Sequence, residues 1–268
     1  AVRYFEEMLE RNRDRDKQFS IRGLVGLVEA RVSAGLIEGV EPWLDQLRTL
    51  ARDSGDTRYI AQAAYAAGLL YLRQGRLEAC RRHFLTARAL AATLGADRMR
   101  LACENNLGEV YRYAGVEEQA GRAYERAARL SEDRGWKDLA AVAHQNLALL
   151  ALKRGDEDGA RASIRVSEAL LQNHPRHWGW LFVGLMRALW AAEEEDERGC
   201  RAWWSVAKER GLGRLEVPDI YPVLCRMERA AEGAEWRDIA RQSREIRQVL
   251  ERTMPSLLNG KNGLGDER

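Results

Sequence analysis

The sequence predicts an all-α fold of stacked antiparallel helix pairs, and three observations lead to this class. Alanine, leucine, arginine and glutamate dominate the 268 residues and proline occurs five times, a composition that favours helices. Glycines recur at a constant interval of 40 residues, at Gly35, Gly75, Gly115 and Gly155. Small and bulky residues also recur at constant distances from these glycines, which is typical of a helical repeat.

The repeated unit is a helix, a turn and a second helix. A mostly small residue follows the glycine position by five residues, and a bulky residue follows it by nine. The small set is Val40, Cys80, Ala120, Ala160 and Cys200, and the bulky set is Leu44, Phe84, Tyr124, Ile164 and Trp204. Small residues let the paired helices approach, bulky residues fill the remaining space, and glycine permits the turn. Glu195 replaces the glycine in the fifth repeat.

This period predicts the position of each helix in turn. Five pairs are expected, over 20–34 and 38–53, 57–73 and 76–93, 97–113 and 117–134, 136–153 and 157–173, and 178–193 and 196–210. Each pair has an apolar stripe that it cannot bury alone, so neighbouring pairs are expected to stack over residues 20–210.

The pattern weakens at both ends of this array. Residues 1–19 are expected to form one helix, a candidate second half of a truncated repeat in a chain that continues N-terminally, because one period before Leu44 lies Tyr4. Residues 211–254 are expected to form a degenerate capping pair over about 219–232 and 235–252. The tail 255–268 is expected to be disordered.

The third repeat resembles the tetratricopeptide repeat, in its residues Leu107, Gly108, Tyr111, Gly115, Ala120, Tyr124 and Ala127. The second repeat matches nearly as well. The 40-residue period of the array is longer than the standard period of about 34 residues. In this respect the array is similar to the long variant of the repeat in kinesin light chains and MalT-like bacterial regulators. The resemblance implies a right-handed α-solenoid of about five to six antiparallel helix pairs.

The resemblance also implies where a partner binds, since the first helix of each tetratricopeptide pair lines a concave groove for a protein or peptide segment. The corresponding residues here are Gln62, Tyr65, Leu69, Arg73, Asn105, Asn106, Glu109, Arg112, Tyr113, Gln145, Asn146, Leu149 and Lys153. Side-chain amides both donate and accept hydrogen bonds, so they suit the backbone of an extended peptide. The basic residues favour an acidic ligand.

Several groove positions have a structural alternative. Asn106 and Asn146 would orient the stack if their amides bonded to the neighbouring repeat, and Leu72 and Leu152 are expected to pack in the core. A second contact surface, for self-association, is suggested by a group of tryptophans that a weak fifth repeat cannot bury easily. This group is Trp178, Trp180, Trp190, Trp203 and Trp204.

No set of residues suggests catalysis, and no cofactor or metal is expected. His174 and His177 lie three residues apart but lack a second pair of ligands at zinc spacing. His83 is expected to be solvated, and His144 to be packed or hydrogen-bonded. The glycines form no phosphate-binding loop, because neither GxGxxG nor GxxxxGK[ST] occurs.

Charge and cysteine content narrow the partner classes. The 43 basic and 41 acidic residues give a net charge of +2. The arginine-rich segments 11–15 and 241–247 also contain acidic or amide residues, so no nucleic-acid partner is expected.

No apolar run is long enough for a membrane span. The four cysteines lack a CxxC motif, which indicates a reducing, cytoplasmic compartment, with Cys80 and Cys200 as packing residues. The acidic run 193–197 is expected to be a solvated turn.

The sequence therefore predicts a non-catalytic interaction module that binds a peptide or protein segment. Such a module would be the sensor or scaffold part of a larger bacterial signalling or regulatory protein, a kinase or an ATP-dependent regulator. The alternative is an architectural oligomerisation domain that uses the C-terminal pair or the tryptophan-rich repeat.

Overall fold

The computed structural model describes residues 1–11, 17–213 and 220–253, so the expected tail 255–268 and most of the segment 11–15 lie outside the described residues. Thirteen α-helices and no strand occur within these ranges. They are α1 (Val2–Arg11), α2 (Lys17–Ser33), α3 (Glu41–Ser54), α4 (Thr57–Arg73), α5 (Leu77–Thr93), α6 (Asp97–Tyr113), α7 (Glu117–Asp133), α8 (Lys137–Lys153), α9 (Glu157–Leu171), α10 (Trp180–Glu193), α11 (Glu197–Glu209), α12 (Tyr221–Gly233) and α13 (Arg237–Thr253). None of these helices is both long and apolar enough to cross a membrane.

Successive helices are in contact in five pairs, α2–α3, α4–α5, α8–α9, α10–α11 and α12–α13. The ends of all helices from α2 to α13 agree with the sequence prediction to within three residues. The predicted all-α fold of helix pairs is therefore confirmed. The described residues divide into two compact units, with the boundary inside α7 between Ala123 and Tyr124. Unit 1 contains α1 to α6, and its main core is formed by α2, α3 and α4. Unit 2 contains α8 to α13 and has a continuous apolar core from Ala141 to Leu250.

The turn inside each pair places one residue in the left-handed region. The four glycines of the 40-residue column have φ values of 73°, 70°, 77° and 74°. Glu195 and Glu235 continue the same column with φ values of 58° and 61°, a conformation that costs a non-glycine residue about 1–2 kcal/mol. The period therefore extends through the sixth pair, α12–α13.

A second glycine column, in addition to the predicted one, lies between consecutive pairs. Gly55, Gly95 and Gly135 follow α3, α5 and α7, and their φ values are 65°, 64° and 68°. They are also 40 residues apart. Both turns of the repeat therefore use left-handed backbone at the end of a helix.

A further small position, Gly68, lies seven residues before the glycine column and faces the bulky residue Phe84 inside its pair. In α4–α5, a Cβ atom on Gly68 would lie 2.6 Å from Cε1 of Phe84, whose side chain is fully buried. In α12–α13 the equivalent positions carry Glu228 and Arg244, and the guanidinium Nε donates to the carboxylate at 2.6 Å. Arg247 donates to the same carboxylate at 3.0 Å. An ion pair thus replaces the apolar contact in the last pair.

Candidate functional site

The predicted groove residues of unit 1 lie on α4 and α6, which are joined by a direct hydrogen bond. Nδ2 of Asn106 donates to the Tyr65 hydroxyl at 3.1 Å, and the Tyr65 ring lies 5.6 Å from the ring of Phe84. Burial raises the pKa of Tyr65 well above its ordinary value, so the hydroxyl stays protonated. The structural alternative for Asn106 is therefore correct, because its amide orients two neighbouring repeats.

Five half-exposed side chains remain accessible on these two helices, and we call them the α4–α6 face: Leu69, Arg73, Asn105, Glu109 and Tyr113. Nδ2 of Asn105 lies 3.4 Å from Oε1 of Glu109, which is long for a hydrogen bond. The face thus combines an apolar side chain, an aromatic ring, an amide and charges of both signs.

Two other predicted groove residues of unit 1 are less accessible. Arg112 is buried, and its guanidinium carbon lies 4.5 Å from the centroid of the Tyr113 ring. The expected role of Arg112 in attracting an acidic ligand is therefore wrong, because this charge stacks inside the structure rather than facing solvent. Gln62 is half-buried, and its carbonyl oxygen is enclosed and has no hydrogen-bond partner within the described residues.

In unit 2 the predicted groove residues of α8 are mostly buried. Gln145 is 1% exposed, and its Nε2 donates to Oγ of Ser167 at 2.8 Å and to the carbonyl of Gly179 at 3.0 Å. Gln145 is thus wrongly assigned to the groove, because its amide ties α8 to α9 and to the start of α10. Asn146 and Leu149 are buried as well, whereas Lys153 is exposed. Leu72 and Leu152 are buried, as expected of core residues.

The tryptophan group is largely enclosed within unit 2. Trp190 and Trp204 are 3% and 4% exposed, and their indole nitrogens donate to Glu157 at 3.3 Å and to Gln242 at 3.2 Å. Trp180 and Trp203 pack against the core, and within this group Trp178 alone is exposed, at 44%. A single exposed indole is a small surface for self-association.

The histidines occupy different environments. Nε2 of His144 lies 2.9 Å from Oε1 of Glu132, which confirms the expected hydrogen bond. His83 is half-buried rather than solvated: its Nε2 lies 3.1 Å from Nη2 of Arg48 and its ring packs on Tyr71 at 5.3 Å. Nδ1 of His177 accepts from the backbone nitrogen of Gly179 at 3.0 Å. Within the described ranges, no group of three or more histidine, cysteine or acidic side chains is placed to hold a metal.

All four cysteines are free thiols. Burial raises the pKa of Cys103 to about 12 and that of Cys200 to about 11, and it raises the pKa of Cys80 further still. Because the thiolate is the reactive form, these three side chains are poor nucleophiles near neutral pH. The positions of Cys80 and Cys200 in the core agree with a packing role.

The acidic run 193–197 is exposed, and its side chains are used within the fold. Arginines of other helices pair with two of its glutamates, at 2.6 Å for Arg226 and Glu193 and 2.9 Å for Arg161 and Glu194. Arg201 pairs with Glu197 at 2.8 Å within α11. The carboxylate of Asp196 accepts from the backbone nitrogen of Gly199 at 2.9 Å and caps α11. The run is therefore an ion-paired turn.

Solved structures share this architecture at low sequence identity. A Rap protein complexed with competence and sporulation factor matches with a TM-score of 0.72 and 15% identity, over 97% of this chain and 71% of that chain. Aspartyl phosphate phosphatase F from Bacillus subtilis matches with a TM-score of 0.74 and 13% identity, over 100% and 68%. BtubC (BKLC) from P. vanneervenii matches with a TM-score of 0.61 and 17% identity, over 78% and 89%.

No family model matches this sequence, and no curated protein is significantly similar to it. At identities of 13–17% the structural matches show the fold alone. The chain therefore has the all-α, tetratricopeptide-like helical-repeat fold.

Proposed function

We propose that this chain is a protein-interaction module that binds a peptide or protein segment on the α4–α6 face. The observation that carries this proposal is the composition of that face. Leu69 offers an apolar contact, Asn105 offers both a donor and an acceptor, and Arg73 and Glu109 offer charges, all half-exposed on two adjacent helices.

The amide of Asn105 is suited to a peptide backbone. Its contact with Glu109, at 3.4 Å, is long for a hydrogen bond. Leu69 and the ring of Tyr113 then provide the apolar contacts that distinguish one peptide side chain from another.

Side-chain contacts join the helices that form the face. The hydrogen bond between Asn106 and Tyr65 joins α6 to α4, and the contact between Tyr65 and Phe84 joins α4 to α5. A preformed surface loses less conformational entropy on binding, which favours affinity for an extended segment.

The charges of the face modify the preference expected from the sequence. Arg112 is buried, whereas Glu109 and Arg73 are both half-exposed. The α4–α6 face therefore suits a segment of mixed charge better than a strongly acidic one.

The wider context is also part of this proposal. We place the module in a larger cytoplasmic bacterial signalling or regulatory protein, with an array related to the long repeats of kinesin light chains and MalT-like regulators. The two glycine columns with a 40-residue period and the four free thiols support this placement. A Rap protein of similar fold was solved with competence and sporulation factor, which supports an interaction role.

The test is selection of peptides from a random library displayed on phage, followed by fluorescence anisotropy of a selected peptide with the 268-residue chain. Asn105→Ala should weaken binding about fivefold to tenfold, the equivalent of one net hydrogen bond of about 1–1.5 kcal/mol. Glu118→Gln is the control, because this side chain on α7 is 78% exposed and lies outside the face. The proposal fails if no peptide is selected, or if Asn105→Ala and Glu118→Gln bind equally well.

A further inference from the structure

A cavity of about 260 Å³ opens between α3, α4 and α5 in unit 1, on a different side of α4 from the α4–α6 face. Its floor is apolar and includes Ile60, Ala63 and Ala64. Its volume lies just below the range of about 300–1,000 Å³ that is usual for drug-sized ligands. The space therefore suits a ligand with a single ring or a short branched chain.

The rim of this cavity is polar and basic. Arg48 and Arg52 come from α3, and His83 and Thr86 come from α5. The guanidinium of Arg52 is exposed and has no hydrogen bond or ion pair with any residue that the structure describes. It is therefore available to a negatively charged group.

Arg48 is held in place by three contacts. One of its terminal nitrogens lies 3.3 Å from Asp45, and the other lies 3.1 Å from the Tyr71 hydroxyl and 3.1 Å from Nε2 of His83. Because a guanidinium can only donate, Nε2 of His83 accepts and the ring proton lies on Nδ1. The cation is thus positioned before a ligand binds, which lowers the entropic cost of binding.

The environment keeps His83 neutral. Burial is the main cause that lowers its pKa to about 4, and the charges of Arg48 from α3 and of Arg82 from its own helix add to this effect. Tyr71 of α4 packs against the ring at 5.3 Å, and Asp45 lies beyond Arg48 and is mostly exposed. An anion in the cavity would offset the charge of Arg48 and raise the pKa of His83.

We propose that this cavity is a binding site for a small amphipathic anion, a sulfonate, phosphate or carboxylate carried on an aromatic or branched aliphatic body. The apolar part rests on Ile60, Ala63 and Ala64, and the anionic group faces Arg52, Arg48 and Thr86. This site is independent of the α4–α6 face, so it adds a small-molecule ligand to a protein-interaction module.

The test uses benzenesulfonate, whose charge does not change near neutral pH, with the full 268-residue chain. Calorimetric titration should show saturable binding at least about tenfold tighter than that of inorganic sulfate or benzyl alcohol. Sulfate lacks the apolar ring, and benzyl alcohol lacks the anionic group. Nuclear magnetic resonance titration of the His83 ring should show a higher pKa when benzenesulfonate is bound.

Two arginine variants provide the matched comparison. Arg52→Gln should weaken benzenesulfonate binding about tenfold, the effect of losing one charged hydrogen bond. Arg82→Gln removes the same charge from α5 at a mostly exposed position that does not line the cavity, and it should change affinity by less than about twofold. Both positions are exposed, so unchanged helicity and melting temperature are expected. The proposal is overturned if wild type shows no saturation at millimolar benzenesulfonate, if sulfate binds as tightly, or if the two variants bind equally.

Discussion

The contact between Gly68 and Phe84 provides a quantitative test of how the repeat packs. Gly68→Ala adds one methyl group that would lie 2.6, 2.7 and 2.9 Å from three atoms of the Phe84 ring. Carbon atoms normally approach no closer than about 3.5 Å, so the ring would have to move by about 1 Å. Phe84 is fully buried and lies 5.6 Å from the ring of Tyr65, so little space is free for this movement.

Two opposing terms set the size of the effect. Overpacking of a dense core costs about 1–3 kcal/mol. Alanine in place of glycine inside a helix stabilises it by about 1 kcal/mol. The net expectation for Gly68→Ala is a loss of about 1 kcal/mol in the free energy of unfolding, and up to about 2 kcal/mol if the ring cannot move.

Thermal denaturation followed by circular dichroism measures this loss. Gly233→Ala is the matched control, because nothing lies within 4 Å of a Cβ atom at that helical glycine, and it should not lower the melting temperature. In a Phe84→Leu background, which shortens the opposing side chain, Gly68→Ala should become neutral or stabilising. If Gly68→Ala stabilises the wild-type chain as much as Gly233→Ala does, the reasoning about close packing is refuted.

Three further changes have definite expected outcomes. Glu195→Gly should raise stability by about 1 kcal/mol in thermal denaturation, because it relieves a left-handed residue at φ 58°, and no gain would contradict the assigned turn. Asn106→Ala should lower stability by about 1–3 kcal/mol, because it leaves the buried Tyr65 hydroxyl without its partner, and an unchanged melting temperature would contradict that contact. Burial opposes ionisation of Glu228, but hydrogen bonds from Arg244 and Arg247 outweigh it and hold the pKa of Glu228 below its ordinary value of 4.5. The stabilisation that ionised Glu228 gives the folded state is therefore complete above this ordinary pKa, and it is lost as the pH falls through the lower folded pKa. Glu228→Gln should therefore flatten the acid limb of the curve of folding stability against pH. An acid limb of unchanged slope in Glu228→Gln would count against this ion pair.

Much of the fold is predictable from the sequence because the same packing positions recur in several repeats. The glycine column, the small residues and the bulky residues each recur every 40 residues. A match that arose by chance in one repeat would not recur in the others, so the recurrence identifies the packing positions. The second column, at Gly55, Gly95 and Gly135, has the same period and marks the turns between pairs. Glu235 was harder to recognise, because a glutamate at a left-handed position has no signature of its own.

The candidate site is less predictable, because a repeat position specifies a place on a helix and not its exposure. Asn105 and Gln145 occupy the same position in consecutive repeats, yet one is half-exposed and the other is buried. The difference arises from the turn that leads to α10, where the Gly179 carbonyl reaches the Gln145 amide. The burial of His83 is not predictable for a similar reason, since its contact Arg48 lies 35 residues away in the sequence.

Leucine methyl groups report directly on the proposed peptide-binding surface of α4 and α6. A selected peptide would be titrated into the chain with labelled leucine methyls, and the spectra recorded to saturation. Leu69 is half-exposed on the face, whereas Leu149 occupies the equivalent repeat position in α8 and is 6% exposed. We predict that the Leu69 resonances shift and saturate with the peptide while those of Leu149 stay in place. Saturated binding without any change at Leu69 would contradict the claim.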